Sequence, residues 1–246
     1  MLSGQQDELA WQQAREYLRQ RAQDQRLAQL VLSASMRGVE DLHEASTLLD
    51  QAGQRLRRAT GQDWGLGLDG RIALFLVSAD ASDPMAGMSR TRPQTDAGAP
   101  VVDVVAEATP SVLLHEWFHG LDLVVAPLQN PQALAGMAWS NQRGWILSKG
   151  PLAQAWDNGV AVLGKQQAWM KARRKMAMKE RTLYWLDDSE AMAYAFELWA
   201  SHDLDQLACA GQDEHRLGAR PTPGEAACLA HAWTPTWGVV RAALDP

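Results

Sequence analysis

From Gln5 to Leu32 the chain has no Gly or Pro, and Leu9, Tyr17, Leu27 and Leu30 punctuate a background of Gln, Ala and Arg. This spacing predicts an amphipathic helix. A second helix is expected over Val39–Ala59, ended by Gly61 and Gly65-Leu66-Gly67. Arg71–Ser78 (RIALFLVS) is short and apolar and reads as a buried strand. Ala79–Pro100, rich in Ser, Asp, Gly, Pro and Met, reads as a loop. Val101–Val105 (VVDVV) is a second strand candidate. Thr109 then suits a helix N-cap, with Pro110 at the first helical position. The helix it opens carries Val112, Leu113 and Leu114, and Pro127 and Pro131 mark its end.

Beyond this point the pattern weakens. Asn130–Gly164, rich in Trp and Gly, predicts loops with short helices. Lys165–Tyr184 is strongly helical in composition. Asp188 or Ser189 is placed to cap a helix over Glu190–Ser201. The tail from Cys209 to Pro246 contains Pro221, Pro223 and Pro235, and is expected to be loop-rich with one short helix near Glu225–Ala232. No internal repeat is evident. The expected organisation is an N-terminal helical region over 1–60, a core over 61–205 and a loop-rich C-terminal region over 206–246 packed on it. The expected fold class is α+β, mostly helical.

Composition narrows the function classes. The 246 residues are 46% hydrophobic, enough for one sizeable core. A net charge of −6 gives no global positive field for nucleic acid. The basic cluster from Lys171 to Arg181 reads as a solvated helix face, with a docking surface as the lesser reading. The N-terminus lacks the apolar core of a secretory signal, and no apolar run approaches the roughly 20 residues that span a bilayer. A soluble, cytoplasmic protein is expected, with signal-independent secretion still open. Cys209 and Cys228 make no disulfide framework and have no metal-type spacing.

The chemistry concentrates at His115-Glu116-Trp117-Phe118-His119. Helix positions four apart share a face, so His115 and His119 can grip one ion. Glu116 can reach an ion-activated water as general base. Trp117 and Phe118 point elsewhere and are expected to anchor the helix in the core. A catalytic zinc takes three protein ligands and keeps one open position. A third His six residues after His119 would suit the metzincin arrangement, but that position is Val125.

The best third ligand is Glu190, in Asp187-Asp188-Ser189-Glu190-Ala191-Met192-Ala193-Tyr194-Ala195-Phe196-Glu197. Ala191, Ala193 and Ala195 allow close helix approach, and Glu190, Ala193, Tyr194 and Glu197 share a face. Glu197 is a rival ligand or a hydrogen-bond acceptor on that face. Asp187 and His202 are weaker rivals. Asp122, one turn beyond His119, can accept the free ring N–H of a ligand His and so fix its tautomer. Tyr184, Tyr194 and His202 are candidates to stabilise an oxyanion, though structural roles suit each better. Of the 11 Trp, Trp139, Trp145 and Trp156 could line an apolar cleft. His43, His215 and His231 are isolated and receive no role.

H-E-W-F-H-G-L-D followed by E-A-M-A-Y-A-F-E resembles a zincin with a glutamate third ligand. The first segment is similar to the H-E-x-x-H-G-F-D of neprilysin-like peptidases. The pair more closely resembles the H-E-W-x-H-A-L-D and E-x-x-A-R-A-F-E segments of phage and mobile-element polyvalent-protein peptidase domains. The resemblance covers roughly Val101–Asp122 and Tyr184–Leu198. It implies a zincin-like core, with a small sheet packed on the motif helix and a second ligand-bearing helix. It also implies Zn2+ held by His115, His119 and Glu190, Glu116 as general base, and Asp122 behind the ligands. Gly120 stands where the mobile-element pattern has Ala, and Tyr194 where it has Arg.

The function expected is therefore a zinc metalloendopeptidase acting on a protein or peptide substrate. The alternatives are an effector or toxin peptidase with a narrow target and a cognate inhibitor or immunity protein, and a non-catalytic, metal-stabilised interaction module. Neither nucleic acid nor membrane is expected as a partner.

Overall fold

The computed structural model describes residues 2–78, 90–92, 99–129, 150–182, 186–201 and 223–245. The chain clusters into two compact units, residues 1–120 and 121–246. The divisions expected from the sequence fall at 60/61 and 205/206.

The first unit holds helices α1 (Leu2–Asp24) and α2 (Val39–Thr60), strands β1 (Leu30–Leu32), β2 (Ala73–Val77), β3 (Arg90–Arg92) and β4 (Val101–Val105), and the start of α3 (Pro110–Gln129). The first helix is shorter than expected. It ends at Asp24, Arg26 takes a left-handed φ of 50°, and Leu30–Leu32 turns into a strand. The apolar run Leu30-Val31-Leu32 pairs in parallel with Leu74-Phe75-Leu76, and a helix there would forfeit that ladder. The buried stripe of α1 is Ala14, Leu18 and Ala22, at helical spacing, whereas Leu9 and Tyr17 are exposed. Arg21 covers the Tyr17 ring, its guanidinium 4.7 Å from the ring centroid. Helix α2 follows its expected span and buries Leu42, Ala45, Leu48, Leu49, Ala52 and Leu56. Asp41 accepts the Gly38 N–H at its start (2.9 Å), and Gly61, with φ 67°, closes its end.

The sheet has the order β1-β2-β4-β3. The first three strands are mutually parallel and β3 runs antiparallel on β4. All five residues of β4 are buried, as befits an inner strand covered on both faces. Because β4 is paired on both sides, it offers no edge for an added substrate strand. The edges of this sheet are β1 and β3.

The second unit is helical where it is described. It comprises the rest of α3, α4 (Pro151–Gly164), α5 (Gln167–Glu180), α6 (Asp188–Ser201) and α7 (Pro223–Leu244). Helices α4, α6 and α7 meet on an aromatic cluster. The Phe196 ring lies 5.7 Å from those of Trp199 and Trp233, and Trp156 lies 5.8 Å from Trp233. Trp156 is fully buried in this cluster and lines no cleft. Trp139 and Trp145 lie outside the described residues.

The expected loop-rich tail is overturned over its last part, because Pro223–Leu244 is one helix with Pro235 inside it. An internal Pro costs about 3 kcal/mol. Here Trp233, Trp237 and Val240 are all buried at helical spacing, and at about 1.5–3 kcal/mol per buried large side chain they outweigh it. Among the described residues no helix is long and apolar enough to cross a membrane.

Candidate metal centre

Helix α3 starts as its sequence predicts. Thr109 Oγ1 accepts the Val112 N–H at 3.4 Å, and the Thr109 carbonyl accepts the Leu113 N–H at 3.2 Å. This is N-cap geometry, with Pro110 at the first helical position. Trp117 and Phe118 are fully buried, as expected of anchors.

One specific bond, together with the buried apolar side chains of α3, fixes the rotation of the helix about its axis. Trp117 Nε1–H donates to the Leu66 carbonyl at 2.7 Å. That carbonyl lies in the Gly65–Gly67 segment, which presses on the backbone of Gln25–Leu27 so closely that a Cβ at Gly65 or Gly67 would overlap it. The Gly67 N–H donates to the Gln25 carbonyl at 2.7 Å. Gly120 has a related use. A Cβ there would stand 3.3 Å from Ile72 Cδ1 and from Val102 Cγ2. Glycine thus lets α3 lie close on the sheet, where Ala would require a small shift of both side chains.

With α3 oriented in this way, His115 is buried and His119 half-buried. Their rings stand edge to face, with centroids 5.1 Å apart. Glu116 is buried beside them, 8% exposed. A ligand atom of His115, one of His119 and one of Glu190 all lie within 4.8 Å of one another. This group could hold a metal ion. Two imidazoles and a carboxylate leave an open position on a four-coordinate ion. Among the described residues, neither Glu197 nor Asp187 belongs to the group. His202 and Tyr184 lie outside the described residues.

Helix α6 begins at Asp188, two residues before the expected start at Glu190, and Asp187 rather than Asp188 or Ser189 is its cap. Asp187 Oδ1 accepts the Ser189 N–H at 2.7 Å, and the Asp187 carbonyl accepts the Ala191 N–H at 3.1 Å. Glu190 is therefore the third residue of the helix, in its first turn. Asp122 is fully buried and accepts a hydrogen bond from Ser189 Oγ at 3.3 Å. The residue before Glu190 is thus tied to a residue one turn beyond His119. Tyr194, one turn after Glu190, packs against Met176 and Ala177 of α5. Glu197 is half-buried further along α6.

Three participants escaped the sequence reading. The hydroxyl of Ser189 and the carbonyl of Leu66 carry no pattern of their own. Arg173 was hidden inside a run of basic residues: Lys171, Arg174, Lys175, Lys179 and Arg181 are exposed, but Arg173 is buried. Cys228 is an exposed free thiol, His43 and His231 are exposed, and Cys209 and His215 lie outside the described residues. Comparison of the chain with protein-family models, curated protein sequences and solved structures found no match.

Proposed function

We propose that this protein is a zinc-dependent metallopeptidase of the zincin type, with Glu190 as its third ligand. The observation that carries the reading is the convergence of His115, His119 and Glu190 on one small volume, with the buried Glu116 adjacent in sequence to the first of them. Two nitrogens and one carboxylate suit zinc among the common divalent ions. When bound, zinc supplies Lewis acidity and brings the pKa of a coordinated water to about 7.

The chain's own groups do the rest. Glu116 takes the proton from the attacking water and delivers it to the departing amine of the cleaved peptide bond. Asp122 accepts the outer ring N–H of a ligand histidine, holding its tautomer and its ring plane. Ser189 spans only part of the acceptor capacity of that carboxylate, since each oxygen offers two lone pairs. The substrate class is a protein or peptide. An extended substrate that adds to the sheet does so at an edge strand, not at β4.

The test is a Glu116→Gln variant assayed on casein and on a peptide library, with and without a chelator. It should retain zinc at the wild-type stoichiometry and lose about 10²–10⁴-fold in turnover. Full activity in this variant, or chelator-insensitive hydrolysis by the wild type, would sink the peptidase reading.

A further inference from the structure

Arg173 occupies a place that its sequence context does not explain. Helix α5 is basic and mostly solvated, yet the Arg173 side chain is 1% exposed. An arginine keeps its charge at any accessible pH, and withdrawing that charge from water costs several kcal/mol unless specific partners compensate. Packing alone would be served better by Leu or Met. The guanidinium instead lies over the Trp169 ring, 5.1 Å from its centroid. Its Nη2 donates to the Asp187 carbonyl at 3.0 Å.

That carbonyl belongs to the capping residue of α6, three positions before Glu190. A cation at a helix N-terminus opposes the helix dipole, and it is tolerated where carboxylates in the same turn offset it. Asp188 and Glu190 place two carboxylates in the same first turn. Met176 and Ala177, three and four residues after Arg173, meet Tyr194 on the far side of Glu190. Side chains of α5 therefore touch this segment both before and after the ligand, at Asp187 and at Tyr194. A ligand in a first turn needs such contacts, because helix ends fray.

We infer that Arg173 is a positioning residue for the metal site: its guanidinium holds the start of α6 so that the Glu190 carboxylate meets His115 and His119. The inference rests on the zinc reading above, and its test separates the two.

Zinc affinity of the metal-free 246-residue chain is measured by competition with a chromophoric chelator for wild type, His119→Ala, Arg173→Met, Glu190→Ala and the Arg173→Met/Glu190→Ala double variant. Circular dichroism and thermal melting report folding. One zinc per wild-type chain, lost in His119→Ala, upholds the metal reading. A wild type that binds no zinc, or a His119→Ala variant that binds it equally well, overturns that reading and the inference with it. With the reading upheld, Arg173→Met should bind zinc about 10–100-fold more weakly. It should cause no further loss once Glu190 is gone, because its effect passes through that carboxylate.

A folded Arg173→Met variant within about twofold of wild type would overturn the inference, and so would an equal loss in the Glu190→Ala background. If Arg173→Met does not fold, Arg173→Lys is judged by the same two criteria. Failure of both variants to fold would assign Arg173 to the fold at large and overturn the positioning role.

Discussion

Helices α3 and α6 each contribute to the His115, His119 and Glu190 group, but they reach their positions by different means. α3 carries its instructions locally: a Thr-Pro start, an apolar first half, and two histidines one turn apart. Its rotation is secured by Trp117 on the Leu66 carbonyl and by the close seat of Gly120. α6 has weaker local instructions. Its start is held by contacts from elsewhere in the chain, with Arg173 on the Asp187 carbonyl and Ser189 on Asp122. Both helices thus use polar contacts from distant parts of the chain, Arg55 on Ser111 (3.2 Å) also serving the first turn of α3, and what sets α3 apart is the longer motif it carries in its own sequence.

The comparison is broken most severely by removing ligands. His119→Ala and Glu190→Ala should each weaken zinc binding by more than the about 10–100-fold loss typical of residues behind the ligands. Metal analysis after dialysis, beside melting curves, checks this. If Glu190→Ala keeps stoichiometric zinc, α6 is not a ligand helix and the comparison fails.

A smaller effect is expected at the two caps. Asp187→Ala removes a charged acceptor at 2.7 Å, while Thr109→Ala removes a neutral one at 3.4 Å. The first should cost about 1–2 kcal/mol and the second about 0.5–1 kcal/mol in denaturant unfolding. The reverse order would mean that α3 leans on its cap more than its buried apolar face suggests.

The smallest effect lies away from both helices. The Glu44 carboxyl is held above the usual carboxylate range, first by loss of hydration and then by Glu107, Asp41 and Glu40. A raised folded-state pKa means that the folded chain binds the proton more readily, so stability falls as pH climbs through that raised value. Glu44→Gln should therefore melt slightly higher than wild type at neutral pH. The gain should vanish at about pH 3, where Glu44 is protonated in both states. A gain of equal size at both pH values would exclude the charge explanation.

Legibility in the sequence followed the same division. The spans of α2 and β4 and the start of α3 could be read from periodicity and capping residues, because those signals act within a few positions. β1 could not, since Leu30–Leu32 continues a helix-like composition and becomes a strand only by pairing with β2. α7 could not, since Pro235 argues against a helix until the burial of Trp233 and Trp237 is known. Arg173 looked like one solvated cation among several for the same reason: charge is visible in a sequence, but burial is not.

By itself, the sequence determined the chemistry that could be assembled. Two imidazoles four residues apart, with a carboxylate between them, constrain one another through helix geometry alone. The tertiary structure decided the partners. Glu190 stands 71 positions after His119; the sequence ranks it ahead of Glu197 and Asp187, and the folded chain groups it with the two histidines and leaves those two outside. Folding alone pairs Ser189 with Asp122, Leu66 with Trp117 and Arg173 with Asp187. Each is a single hydrogen bond between residues far apart or unpatterned in the chain, and such bonds leave no periodic trace.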